Sequence, residues 1–389
     1  MTQARWWNRR IAYGPGAITA FSSLVERAHA RRILLVTGRS SFSMSGADRM
    51  LSDIRPDIEV HEWSDFGPHT SLDDLTRGLK LARQVAPDLL VGVGGGSAMD
   101  MAKLLTAYLD TQAEPEELIR HGTPASDEAR PLVLVPTTSG SGSEATHFAV
   151  VYIGDSKFSV AGEALRAQSI ILDPRLAISG SPHQRAISGI DAVCQAVESL
   201  WAVGATPESQ RYARHALGLL IPSIVAFVFK GDERSAAAMS IGSHLSGRAI
   251  DISKTTGAHA LSYFLTTRFG VPHGNAVALT LPSFIDEHTR AATNMPGDQG
   301  ASLRQALGTI QRVFHAEHPD SANSASRHLE RLVDSINLTP SIRDVFPNLD
   351  QVVDEWIASV NVERLSNNPV PFTLEGMKQL LYRAWDHQA

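Results

Sequence analysis

The stretch from Leu89 to Tyr108, LLVGVGGGSAMDMAKLLTAY, joins a continuously apolar run to three glycines and then to a helical pattern. A buried strand, a glycine turn and a helix N-terminus bring unpaired N–H groups and the positive end of a helix dipole to one point, an arrangement that suits a diphosphate. Ser97, with Asp100 three residues on, reads as a capping box for that helix. The spacing is not G-x-G-x-x-G, so the loop taken alone reads equally as a tight strand-to-helix turn. A second small-residue loop, 137-TTSGSGSEAT-146, follows the apolar run Leu132 to Pro136. Farther along, Asp191, Gln195 and Glu198 recur at i, i+4 and i+7, on one face of a helix. His259 and His273, the second within Pro272-His273-Gly274, offer imidazoles whose ordinary pKa lies near neutrality. Lys254 stands in the run Ser253 to Thr256, and a buried lysine requires an anion opposite it.

The elements that position these residues follow from hydrophobic periodicity. Ile11 to Tyr13, Ile33 to Gly38, Ile58 to Trp63, Leu89 to Val93 and Leu132 to Pro136 read as strands. Leu72, Leu75, Leu79, Ala82 and Val85 mark a helix between the third and fourth, and the alternation of strand with helix implies a parallel sheet covered on both faces. Loops at the carboxyl ends of such strands are where an open α/β sheet binds its ligand. After Asp173-Pro174 strand signals fade, and Ser181-Pro182 reads as an N-cap with proline at the first helical position. The expected division is an α/β dinucleotide-binding domain over residues 1–178 and an all-α domain over 179–389. Within the second, 188–203 and 236–263 are expected helices, and the polar, proline-bearing segment 110–131 is the expected mobile one.

Composition narrows the function classes. A chain of 389 residues with 43% hydrophobic content is long enough for two cored domains. A net charge of −6 argues against nucleic acid or an anionic membrane as partner, since both need a basic face. One cysteine, Cys194, excludes an internal disulfide framework and suits a reducing, cytoplasmic setting. No apolar run reads as a bilayer span and no secretory h-region is evident, so membrane insertion is not expected.

Taken in order, GGGSAMDMAK, PTTSGSGSE, DPRL, GIDAV and GAHALS with GVPHG resemble the iron-containing, or group III, alcohol dehydrogenases along nearly the whole chain. The resemblance implies a dinucleotide domain and a helical domain, with a nicotinamide and a divalent metal facing each other across the cleft between them. By position, Gly95, Gly96 and Ser97 would hold the diphosphate, while Thr137, Thr138, Ser141 and Thr146 would line the adenosine and ribose side. Asp100 and Lys157 match positions near the nicotinamide, and Lys103 is expected to be solvated or structural. Family members that prefer NAD carry an Asp after the second strand; here Gly38 stands there, followed by Arg39, Ser40 and Ser41, which favours NADP(H) over NAD(H).

The metal set departs from the family pattern of one Asp and three His. Asp191 and His273 match, but Gln195 and Thr255 occupy the other two ligand positions. Asp191, Gln195 and His273 alone make a poor set for ferrous iron or zinc, so weak binding, substitution by His259, or no metal is expected. His259 aligns with a family histidine near the substrate and is expected to relay a proton. The branch with ISKTTGAHALSY and DAVCQAVESLW is similar to phosphonoacetaldehyde reductases. The implied activity is an NAD(P)H-dependent reduction of a small aldehyde, phosphonoacetaldehyde being favoured, by a homodimer in which Lys254 assists. The rivals are a sugar-phosphate lyase of the dehydroquinate synthase kind and a nucleotide-binding protein without catalysis.

Overall fold

A computed structural model describes residues 10–121, 130–154, 156–317, 324–338, 341–360 and 362–386. Among them the chain forms two compact units, one comprising the chain to Ser181 with Asp232–Ser240, the other Pro182–Gly231 with the chain from Ile241 onward.

The first unit is a six-stranded parallel sheet in the order β1-β8-β5-β4-β2-β3. The strands are β1 (Arg10–Tyr13), β2 (Arg32–Thr37), β3 (Glu59–Trp63), β4 (Leu89–Gly94), β5 (Leu132–Pro136) and β8 (Ser169–Leu172), with β6 (Phe148–Ile153) and β7 (Ser156–Ala161) forming a separate antiparallel hairpin. Every residue of β4, β5 and β8 is buried, because helices cover both faces of the sheet's centre. Leu34, Val36, Leu90, Leu132 and Leu134 point to one face, where Leu75, Leu79 and the apolar side of the helix Gly96–Tyr108 meet them. Ile33, Leu35, Val91, Val93 and Val135 point to the other, against Phe21, Leu24 and Phe42. The register pairs Thr37 with Val93 and Gly94 with Pro136, so β2, β4 and β5 end level and present their loops side by side.

Several elements differ from the sequence reading. The hairpin β6–β7 and strand β8 were not expected, although Phe148 to Ile153 is rich in β-branched and aromatic residues and ends at Gly154, a strand-and-turn signal. In the segment expected to be mobile, Pro115–Arg120 is a short helix started by its proline, while 122–129 lie outside the described residues.

The second unit is helical. Pro182–Trp201 packs along Pro207–Phe229, and Gly257–Phe269 packs on His273–Asn294, which in turn crosses Pro182–Trp201. The single helix expected over 236–263 is two, Glu233–Ser253 and Gly257–Phe269. The break falls at Lys254, whose φ of 61° is left-handed, followed by the β-branched pair Thr255-Thr256, neither of which favours continuing a helix. The expectation that no run could span a bilayer also needs correction, since Pro207–Phe229 is long and apolar enough by length and composition. It nevertheless buries Ala213, Ala216, Leu217, Leu220, Ile224 and Phe227 inside this unit, as a core helix does.

Candidate functional site

In the first unit the loops after β4 and β5 are stitched together by Thr137 N donating to Gly94 O over 2.9 Å, and Gly38 N donates to Val93 O over 3.2 Å. Gly94 has φ 152°, and a Cβ there would stand 2.7 Å from Ala98 Cβ, so only glycine makes this turn. The helix begins at Gly96 with Gly95 as its N-cap, and no side chain caps it, which leaves its first N–H groups for a ligand. Ser141 borders that helix end, its hydroxyl 3.1 Å from where a Cβ on Gly96 would lie, and Thr138 lies beside Gly95. The hydroxyls of Thr137 and Ser139 are buried without a hydrogen-bond partner, so this loop holds donors that the described chain does not use.

The expected capping box is not formed. Ser97 lies inside the helix and donates its hydroxyl to Pro68 O, whereas the Asp100 carboxylate accepts from Ser143 Oγ at 2.5 Å and from Val150 N at 3.0 Å. The local pattern lost to partners 29 to 50 residues away, because these tie the helix to its neighbouring loops.

Lys103 is not solvated but fully buried. Its Nζ donates to Ser143 O, to Ser143 Oγ at 2.9 Å, to Thr146 Oγ1 at 2.8 Å and to Phe148 O at 2.9 Å, with Asp100 Oδ1 at 3.8 Å. Thr146, expected to line the ribose, is 1% exposed and its hydroxyl faces this lysine. Lys103, Asp100, Ser143 and Thr146 thus form an ionic buttress beneath the loop 137–146.

Around the other candidates, Gly38 follows the end of β2 and Ser40 precedes the short helix Ser41–Met44. Arg39 pairs with Asp65 at 2.9 Å, both exposed. Lys157 lies on the hairpin opposite Tyr152.

In the second unit three sequence-flagged residues converge. Asp191, His259 and His273 each offer one ligand atom, all within 4.8 Å of one another. His259 Nε2 is 3.4 Å, and His273 Nε2 3.9 Å, from Asp191 Oδ1. His273 opens the helix His273–Asn294; a Cβ on Gly274 would overlap the Ile187 carbonyl, so the glycine of the Pro-His-Gly turn lets the imidazole come against Asp191. Its ring stacks at 12° on Tyr263, and its Nδ1 lies 3.3 Å from Ser262 Oγ.

His259 is 3% exposed, with Nδ1 bonded to the fully buried Glu198. Burial by itself would lower the pKa of this imidazole, but the Glu198 and Asp191 carboxylates outweigh it and raise the value to about 10. Glu198 is conversely held below the usual carboxylate range: burial opposes ionisation, and His259 and the Thr256 hydroxyl overcome it.

Gln195 turns its amide to Asp191, donating to Oδ2 over 3.0 Å, while its Oε1 accepts from Ser246 Oγ at 3.3 Å. Thr255 Oγ1 accepts from Arg364 Nη1 at 3.2 Å, a partner that the sequence did not flag. Lys254 is half-buried in the loop between two helices rather than on a helix face. The Thr256 hydroxyl donates to Glu198 at 2.7 Å and accepts from Trp201 Nε1 at 3.1 Å, so it is committed to the core.

One carboxylate and two imidazole nitrogens form a fitting donor set for a divalent ion with open positions, as in catalytic zinc sites and two-histidine, one-carboxylate iron sites. The set uses His259 where sequence reasoning counted Gln195.

Residues 8–174 match the iron-containing alcohol dehydrogenase family, and residues 185–385 match the C-terminal domain of the Fe-containing alcohol dehydrogenases. The chain belongs to the iron-containing alcohol dehydrogenase family. As a member it is an oxidoreductase acting on an alcohol or aldehyde, and the family uses a nicotinamide dinucleotide and a metal. Long-chain-alcohol dehydrogenase 1 of Geobacillus thermodenitrificans is 33% identical over 333 residues, 85% of this chain and 83% of that protein. Phosphonoacetaldehyde reductase of Streptomyces viridochromogenes is 31% identical over 327 residues, 80% of each. The solved structure of sulfoacetaldehyde reductase from Bifidobacterium kashiwanohense in complex with NAD+ shares the fold, with a TM-score of 0.85 at 23% identity over 99% of both chains. Family membership decides against the lyase and non-catalytic readings.

Proposed function

We propose that this alcohol dehydrogenase is an NADPH-dependent reductase of a small aldehyde that carries an anionic group, with phosphonoacetaldehyde as the favoured substrate. The observation that carries this reading is the loop Lys254-Thr255-Thr256, in which Lys254 stands one residue before a hydroxyl that is bonded to another cation, Arg364. A dianionic phosphonate is the kind of group two such cations bind. The likeness to a phosphonoacetaldehyde reductase over 80% of the chain supports the same substrate.

Gly95, Gly96, Ser97, Thr138 and Ser141 hold the dinucleotide through helix N–H groups and hydroxyls, and Thr137 turns an otherwise unused donor to it. Asp100 and Thr146 act beneath the loop. Gly38 with Arg39 and Ser40 admits the 2′-phosphate; the exposed Arg39–Asp65 pair is worth ~1 kcal/mol at most and gives way readily to it. Asp191, His259 and His273 would hold the divalent ion, which when bound supplies Lewis-acid polarisation of the carbonyl. Lys254 would fix the phosphonate, and the nicotinamide, when bound, would supply the hydride for the carbonyl carbon. Burial of His259 between two carboxylates argues for a fixed ligand rather than a relay, and the alkoxide takes its proton from solvent on the side of His273, whose side chain is 36% exposed. The exposed apolar pair Ile11 and Tyr13 on edge strand β1, 46% and 50% exposed, supports a homodimer, and the lone buried Cys194 supports a reducing cytoplasm.

NADPH oxidation with phosphonoacetaldehyde and with propanal tests the reading. Lys254→Met is expected to lose about 2–3 kcal/mol of transition-state binding for the phosphonate and little for propanal. Equal losses for the two aldehydes would refute it.

A further inference from the structure

We propose that Glu198 is a positioning residue that presents His259 Nε2 to a divalent ion shared with Asp191 and His273. The inference rests on the reading of those three side chains as cation ligands. Glu198 lies seven residues after Asp191 on the helix Pro182–Trp201, two turns along the same face. Its Oε1 accepts from Thr256 N at 3.1 Å, Thr256 Oγ1 at 2.7 Å, Ala258 N at 3.1 Å and His259 N at 3.4 Å. These groups surround the first turn of the helix Gly257–Phe269, whose N-cap, Thr256, makes no capping bond of its own. A buried carboxylate from another helix therefore caps the helix that carries His259, in favourable register with its dipole.

The other oxygen, Oε2, accepts a hydrogen bond from His259 Nδ1. With the Nδ1 proton held by that bond, Nε2 is the ring atom that gives up its proton to an incoming ion; it is buried, makes no hydrogen bond among the described residues, and stands 3.4 Å from Asp191 Oδ1. A tetrahedral ion about 2.1 Å from each ligand holds its donor atoms about 3.4 Å apart. The separations of 3.4 and 3.9 Å to Asp191 Oδ1 are near that value. Gln195 acts likewise on Asp191, its amide occupying Oδ2 at 3.0 Å and leaving Oδ1 toward the imidazoles. One helix thus supplies a ligand, Asp191, and the two side chains that aim the ligand atoms, Gln195 and Glu198.

Glu198→Gln separates aiming from capping. The amide oxygen can still accept from the helix N–H groups, but the amide nitrogen in place of Oε2 must donate to Nδ1, which moves the imidazole proton to Nε2. Zinc affinity of metal-stripped protein, by competition with a chromophoric chelator, is expected to fall about 10- to 100-fold. Long-range 1H–15N correlation spectra of the metal-free proteins are expected to show His259 Nδ1 protonated in the wild type and unprotonated in the variant, while far-UV circular dichroism stays as in the wild type. Should the glutamine variant not fold, Glu198→Asp keeps the charge but withdraws it from Nδ1, and weaker zinc binding is again expected. A folded variant that binds zinc within about threefold of wild type, or keeps His259 Nδ1 protonated, overturns the role of Glu198. A wild-type protein that binds no zinc, or whose zinc binding survives His273→Ala, overturns the cation reading and this inference with it.

Discussion

Replacing Lys103 by methionine tests the buttress beneath the loop 137–146. Methionine fills nearly the same volume but donates nothing, so the Asp100 carboxylate loses its cation and Thr146 Oγ1, Ser143 Oγ and the Phe148 carbonyl lose a charged donor within 2.9 Å. Each charge-assisted hydrogen bond of this kind contributes about 1.5–3 kcal/mol. Breaking a buried ion pair from one side costs about 3–5 kcal/mol, and the lower end is expected here because Asp100 keeps its bonds to Val150 N and Ser143 Oγ. The loss should appear in urea unfolding of the dinucleotide-binding unit, followed by the fluorescence of bound NADPH, and cofactor affinity should fall as the loop loosens. Asp100→Asn combined with Lys103→Met should recover more than about 1 kcal/mol relative to the sum of the single changes, since the two groups share one network. A destabilisation under about 1 kcal/mol for Lys103→Met would mean that the lysine is solvated and that the loop is held otherwise.

Three further outcomes are expected. His288 is buried with its pKa pushed down to about 3 by burial, and Asn368 donates to its Nε2 at 3.0 Å. The unfolded chain, with an ordinary value of 6.5, therefore binds the extra proton first, so stability is lost as pH falls below about 6.5. At pH 5 the loss is about 2 kcal/mol, and a Tm–pH profile of His288→Gln that falls as steeply as wild type would refute it. Gly274→Ala drives a Cβ into the Ile187 carbonyl and should cost about 1–3 kcal/mol while displacing His273, so zinc affinity that is unchanged in a folded variant would contradict the packing argument. For the cofactor, wild-type kcat/KM should be higher with NADPH than with NADH, and Arg39→Ala should narrow the ratio about tenfold; a wild-type preference for NADH would sink the assignment.

The parts of this protein that were legible in the sequence are those whose physical cause is local. The apolar runs of β2, β4 and β5 declare strands buried on both faces, the glycines after Val93 declare a turn, and the change of period after Asp173 declares a helical half. Asp191 and His273 could be marked because the short local motifs that hold them, GIDAV and Pro-His-Gly, match the family pattern. What tertiary structure alone decided involves partners far apart in the chain. Ser97 and Asp100 have the spacing of a capping box, yet Pro68, Ser143 and Val150 offer them bonds that also bind loop to helix. Lys103 reads as either solvated or structural, and only the folding of β6 and the loop 137–146 over it, with oxygens for its charge, makes it structural. Past the interruption at Lys254 to Thr256, Glu198, which sits 58 to 61 residues earlier, caps the new helix and bonds the imidazole of His259. Hydrophobic periodicity carries no information about such a contact, because a buried carboxylate is stable only when donors from another element surround it, and that condition exists only in the folded chain.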